Sequence, residues 1–228
     1  MIFDAEENKD FDSVLERSAS LAEKKIYAGC AGLAACIAAR MSFRHTAQAD
    51  GEPIQRLLAV CGSVNPITQR QLQEGERAGC VRCSLGDEDL FAESYPANVI
   101  AMEKVRTALR MQHDLLIDSL AVRPDPEKTA DLFEAKGKEI ARRLGLLVAK
   151  LQDLPENAGY TTMIIGGDTL TGYLQSRPDA KIGLDSEAVD GVVSFTLTVG
   201  DERYHMLSKS GGFGGPDLFS QLLRSNRT

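Results

Sequence analysis

Four glycine-bearing turns are the residues of this chain best suited to chemistry: Gly29-Cys30-Ala31-Gly32, Gly62-Ser63, Gly166-Gly167-Asp168-Thr169 and Gly211-Gly212-Phe213-Gly214-Gly215. Each follows an apolar run that reads as a strand, and most open a helix. In an α/β sheet such turns fall at the carboxyl ends of strands, where ligands bind. Glycine lets the backbone approach a phosphate closely. The free N–H groups and the dipole of the following helix then favour negative charge. Hydroxyls stand beside the glycines at Ser63 and Thr169. One such turn is weak ground for a ligand, whereas three within one domain point to a nucleotide.

Plainer readings stand beside this one. Ser63, Asp168 and Thr169 are all good helix N-caps. The stretch Gly211 to Gly215 also suits a flexible surface loop around an exposed Phe213. Lys209, just before it, suits a phosphate as a point charge, or is simply solvated. The standard phosphate signatures G-x-x-x-x-G-K-[ST] and G-x-G-x-x-G are absent, as are H-R-D, D-F-G and G-x-S-x-G. His45, His113 and His205 each lack a nucleophile or metal partner in sequence, so they read as non-catalytic. Of the five cysteines, Cys80-Val81-Arg82-Cys83 has redox or zinc spacing, but no second pair backs it. Reduced, structural thiols are the favoured reading.

The elements that must position these turns follow from periodicity. Ile2-Phe3 and Ile26-Tyr27-Ala28 are brief β-like runs, with a helix between them through Phe11, Val14, Leu15, Ser18, Leu21 and Ala22. Leu33 to Ala38 reads as a helix, and residues 42–55 as a linker. Leu57 to Cys61 is a strand, and Thr68 to Ala78 a helix. Cys80–Ser84 and Asp114–Ser119 are further strands, and Asp131 to Leu151 is an amphipathic helix. Thr161 to Ile165, a turn, and a short helix Leu170–Gln175 repeat the strand–turn–helix pattern. Val192–Val199 and Tyr204–Leu207 form a hairpin across Gly200-Asp201, and a helix runs from Asp217 to Leu223. The alternation predicts an α/β fold: a layered, mostly parallel or mixed sheet with helices on both faces.

Composition sets the bounds. The chain has 228 residues, of which 43% are apolar and 26% charged, an ordinary globular balance. That length suits one α/β domain, or one domain plus a fragment. There are 26 basic and 33 acidic residues, a net charge of −7, and the pI is near 5.1. An acidic chain without a basic cluster argues against general nucleic-acid binding. No apolar run reaches the roughly 18 residues a membrane helix needs. The start, Met1 to Glu7, turns acidic at once, unlike a signal peptide. A soluble, cytoplasmic protein with no membrane contact is expected.

Three blocks carry a resemblance. They are Gly62-Ser63-Val64-Asn65-Pro66-Ile67-Thr68-Gln69-Arg70-Gln71, Gly166-Gly167-Asp168-Thr169, and Lys209 through Phe219 with its Lys-Ser-Gly-Gly-Phe-Gly-Gly-Pro-Asp-Leu-Phe run. In order and spacing they resemble the nucleotide-binding C-terminal domain of the four-carbon acid sugar kinase family. Gly29-Cys30-Ala31-Gly32-Leu33-Ala34 is similar to the turn closing that family's N-terminal substrate domain. The resemblance implies residues 1–50 as the end of a substrate domain and 51–228 as the nucleotide-binding domain. It implies an ATP-dependent kinase, with Mg²⁺, that phosphorylates a terminal hydroxyl of threonate, erythronate or a 3-oxo-tetronate. Carried over, Ser63, Gly166, Gly167, Asp168, Thr169, Lys209, Gly211, Gly212, Phe213 and Gly214 would surround the nucleotide. Asn65 and Leu170 stand where the family usually has small residues. The family's D-D-x-T-G motif, in the substrate domain, is absent. This chain would therefore supply the donor side, need a separate substrate domain and be inactive alone as a transferase. The alternative is a non-catalytic nucleotide- or metabolite-binding remnant acting as a regulatory module. An apolar edge within residues 1–45 would favour a partner or a homo-oligomer.

Overall fold

The computed structural model describes residues 2–19, 26–41, 53–122 and 130–225. The chain forms two compact units, Met1–Ala47 and Gln48–Thr228.

The first unit holds helices α1 (Asn8–Ala19) and α2 (Ala31–Ala39). Leu15, Ser18 and Leu33 are buried. Ser18 Oγ donates to the Leu15 carbonyl at 2.9 Å and meets the Tyr27 hydroxyl at 2.7 Å. The β-like runs expected at Ile2-Phe3 and Ile26-Tyr27-Ala28 are not strands. A run of two or three residues has too few ladder bonds to hold itself extended, and no neighbouring strand is described in this unit. Leu21, Ala22 and the core of the linker lie outside the described residues.

The second unit is built on one seven-stranded sheet. Its strands are β1 (Arg56–Cys61), β2 (Val81–Ser84), β3 (Leu115–Asp118), β4 (Tyr160–Ile165), β5 (Lys181–Val189), β6 (Val192–Val199) and β7 (Glu202–Lys209). The order across the sheet is β2-β3-β1-β4-β7-β6-β5. β2, β3, β1, β4 and β7 run parallel, and β6 is antiparallel to both its neighbours. The fold is therefore α/β with a mixed sheet.

Helices cover both faces. α3 (Pro66–Arg77) and α9 (Leu218–Ser225) lie on one side, where Leu72, Phe219 and Leu222 pack on Leu57, Ala59, Met163 and Leu207. On the other side are α4 (Asp87–Leu90), α5 (Ala97–Ala101), α6 (Glu103–Arg110), α7 (Ala130–Gln152) and α8 (Gly167–Ser176). Their Leu90, Val105, Leu144, Leu147 and Tyr173 pack on Leu58, Val60, Ile117 and Ile164. β1 is thus buried on both faces, which is why it reads as an unbroken apolar run. α7 and α8 cross at glycines: a Cβ on Gly172 would stand 2.7 Å from the Ala141 carbonyl oxygen, and one on Gly145 would overlap the Gly172 backbone.

Strand alternation also settles the cysteine pair. Cys80 is buried on the α3/α9 side and Cys83 on the α7/α8 side. Successive residues of an extended run point to opposite faces, so residues three apart do the same, and the two thiols do not form one redox or metal pair.

β5 carries no expectation from the sequence. It is an edge strand whose Ile182 is half exposed, and its Gly183, Asp185, Ser186 and Glu187 blur the apolar alternation.

Candidate functional site

The three glycine turns of the second unit come together because their strands are neighbours in register. Cys61 pairs with Ile165, and Ile165 with Lys209, so β1, β4 and β7 end on one line. The ladder continues one residue further: the Gly62 N–H donates to the Ile165 carbonyl and the Gly166 N–H to the Lys209 carbonyl, both at 3.0 Å. Beyond that line the turns enclose a hollow of about 410 Å³, lined by Gly62, Ser63, Val64, Asn65, Gly166, Gly167, Asp168, Thr169, Gly211 and Gly212.

Each wall has its own local cause. After β1, Pro66 occupies the first helical turn, where its missing N–H is harmless. Asn65, rather than Ser63, caps α3: its side-chain oxygen accepts the Ile67 N–H at 2.9 Å. Ser63 Oγ accepts the Asn65 N–H and lies 3.3 Å from Thr68 Oγ1. After β4, Gly166 turns at φ +117°, a conformation hostile to side chains. α8 then starts at Gly167 with Asp168 exposed and Thr169 buried. The first-turn N–H groups of Gly167, Asp168 and Thr169 have no intrahelical acceptor and stand at the positive end of the helix dipole.

The third wall is the loop after β7, and side chains hold it from behind. Thr68 Oγ1 donates to the Gly211 carbonyl at 2.5 Å. Gln71 Nε2 donates to the carbonyls of Phe213, Gly214 and Gly215 at 2.9–3.0 Å. Lys209 Nζ donates to the carbonyls of Ser210 and Gly211 at 2.9 and 3.2 Å. Lys209 is 1% exposed, and burial lowers its ammonium below the ordinary lysine range.

Of the ten residues expected to surround a ligand, Ser63, Gly166, Gly167, Asp168, Thr169, Gly211 and Gly212 line this hollow. Lys209, Phe213 and Gly214 do not. Lys209 sits beneath the loop, Gly214 turns at φ +79° with its carbonyl on Gln71, and Phe213 is half exposed. Phe213 lines a separate hollow with Glu187, Asp190, Val193 and Ser208. Thr68 and Gln71 carried no expected role. Both are buried polar residues one turn apart on α3, and polar groups on a helix's apolar face are the sequence signal that marks them.

Asp118, fully buried at the end of β3, accepts from Arg82, Ser84 and the Leu120 N–H. His205 bridges Thr161 and Ser194 at 3.1 and 3.0 Å. His113 is exposed, and His45 lies outside the described residues. Among the described residues Asp168 is the one carboxylate lining the hollow. Among the described residues no cluster of three or more His, Cys, Asp or Glu could hold a metal.

An α/β sheet with a three-turn, amide-lined cradle at its strand ends is the architecture of a nucleotide-binding domain. The model of the family described as the nucleotide-binding C-terminal domain matches residues 58–219, and the chain belongs to that family. No curated protein matches the chain. Among solved structures it is similar to a domain of unknown function, DUF1537, from Bordetella bronchiseptica, determined with bound citrate as a domain-swapped dimer. The identity is 24% and the TM-score 0.55, covering 78% of this chain and 43% of that one. It is also similar to a Haemophilus influenzae protein described with DUF1537, at 20% identity and TM-score 0.57, covering 96% of this chain and 52% of that one. The chain thus spans about half the length of these structures.

Proposed function

We propose that the cradle binds the phosphates of ATP or ADP, and that the chain is the donor half of a kinase for a four-carbon sugar acid. The observation that carries this reading is the meeting of three glycine turns at register-matched ends of β1, β4 and β7. Ser63, Gly166, Gly167, Thr169, Gly211 and Gly212 would surround the phosphates. The family match supports a nucleotide, and the sequence blocks favour threonate, erythronate or a 3-oxo-tetronate as acceptor.

Phosphoryl transfer is mostly positioning and charge neutralisation. Mg²⁺ usually keeps water and takes one or two carboxylates beside the phosphates. The donor set fits that sparse demand: Asp168 stands exposed at the rim of the hollow and would take the ion together with phosphate oxygens. When bound, the ion would offset charge on the transferring group. The acceptor hydroxyl and its base would come from a substrate domain, as part of the same polymer or as a separate partner in the cytoplasm. Ile2, Phe3, Ile26, Tyr27 and Met41 of the first unit are exposed apolar side chains and would face that partner or a second copy. The domain-swapped dimer of the Bordetella bronchiseptica structure is in keeping with such an exchange.

A second reading has its own observation. Among the described residues a single carboxylate lines the hollow, and the D-D-x-T-G motif is absent, which suits a nucleotide-binding module without chemistry. Titration calorimetry with Mg-ATP tests what both readings share: no heat and no thermal shift at millimolar nucleotide would overturn them. Phosphorylation of threonate only after addition of a D-D-x-T-G partner domain would select the kinase, and robust turnover by the chain alone would refute the split.

A further inference from the structure

Five carbonyls of the loop after β7 are held by side chains from β7 and α3. Those of Ser210 and Gly211 accept from Lys209, that of Gly211 also from Thr68, and those of Phe213, Gly214 and Gly215 from Gln71. In a planar trans peptide the N–H points opposite to the carbonyl. Drawing back the Ser210 and Gly211 carbonyls therefore turns the Gly211 and Gly212 N–H groups the other way. Gly211 and Gly212 line the hollow, and among the described residues their N–H groups have no acceptor.

No carboxylate lies within 4.0 Å of Lys209 Nζ among the described residues. The nearby Cys61 thiol, pushed up to about 12 by its own burial, is neutral at ordinary pH. A buried charge without a partner is costly unless something supplies the opposite sign.

We propose that Lys209 is a positioning residue for a polyphosphate: from behind the loop it aims the Gly211 and Gly212 amides into the cradle and backs them with an uncompensated positive charge. This rests on the nucleotide reading and deepens it. Its ligand is the phosphate chain and not the nucleoside, and Lys209 touches neither. Thr68 and Gln71 share the backbone task, but Lys209 alone among the three brings charge.

The test is calorimetric titration of the full chain and of Lys209→Gln with ADP, pyrophosphate and adenosine. Glutamine keeps amide donors for the carbonyls and removes the charge. Lys209→Met serves as the second variant should the first not fold, with circular dichroism and the melting midpoint without ligand checking each. The expected result is that the substitution weakens ADP and pyrophosphate by about tenfold or more, the scale of a buried unit charge acting across a peptide layer, while adenosine binding moves less than about twofold. Equal losses for ADP and adenosine would reduce Lys209 to a structural residue and overturn the proposal. A variant that keeps the wild-type preference for ADP over adenosine would also overturn it, with the nucleotide reading intact. Wild-type protein that binds ADP no better than adenosine, or not at all, would bring down the phosphate cradle itself.

Discussion

Gln71→Leu separates what holds the fold from what shapes the cradle. Gln71 is fully buried, and its single amide group serves three loop carbonyls. A net intramolecular hydrogen bond is worth about 1 kcal/mol, and two amide protons divided among three acceptors bring about 2 kcal/mol. The other end works against it: Gln71 Oε1 is buried without a partner, and removing such an orphan returns about 1 kcal/mol. Leucine fills nearly the same volume, so no large cavity adds to the cost. The net loss is about 1 kcal/mol, a fall of about 2–4 °C in melting midpoint for a chain of this size. The loop responds far more than the fold, because Phe213, Gly214 and Gly215 are partly exposed and water replaces the amide at their carbonyls. Hydrogen exchange at the Phe213 amide, which donates to the Ser210 carbonyl, should accelerate by about tenfold or more, in line with loss of about 2 kcal/mol of local protection, and ADP affinity should fall with it. Unchanged exchange in that loop would refute the reasoning. So would a loss above about 4 kcal/mol in urea, since that would make Gln71 a support of the core.

Two further expectations rest on different observations. Gly172→Ala places a Cβ 2.7 Å from the Ala141 carbonyl oxygen and 2.8 Å from Arg142 Cα, so α7 and α8 must separate. The cost should be about 1–3 kcal/mol in urea unfolding, and a neutral substitution would show that the helices do not meet this closely. Thiol alkylation followed by mass spectrometry at pH 8 should label Cys30 first: it is exposed, and the Leu33 and Gly32 N–H groups hold its thiol below the usual range. Cys61 should stay unmodified until the chain unfolds, because burial pushes its thiol up to about 12 and only the thiolate reacts. Labelling of native Cys61 as fast as Cys30 would contradict the buried end of β1.

By itself the sequence determined the local units. Strands β1 and β4 are legible because they are buried on both faces: β1 reads as an apolar run and β4 as a run rich in β-branched and apolar residues, ended by Gly62 and Gly166. Helix α7 is legible from its 3.6-residue stripe. The glycine turns were legible as anion-binding candidates from backbone chemistry that any strand-to-helix turn shares. Tertiary structure decided which of those turns meet. Gly62, Gly166 and Gly211 are far apart along the chain and converge only because β1, β4 and β7 are placed side by side in register, a pairing that no local pattern encodes. It also decided that Asn65 caps α3 in place of Ser63, that 26–28 is not a strand, and that Lys209 turns inward under the loop. Whether a lysine is solvated or buried depends on the carbonyls presented to it, and here those come from a loop shaped by Thr68 and Gln71 of a helix some 140 residues away.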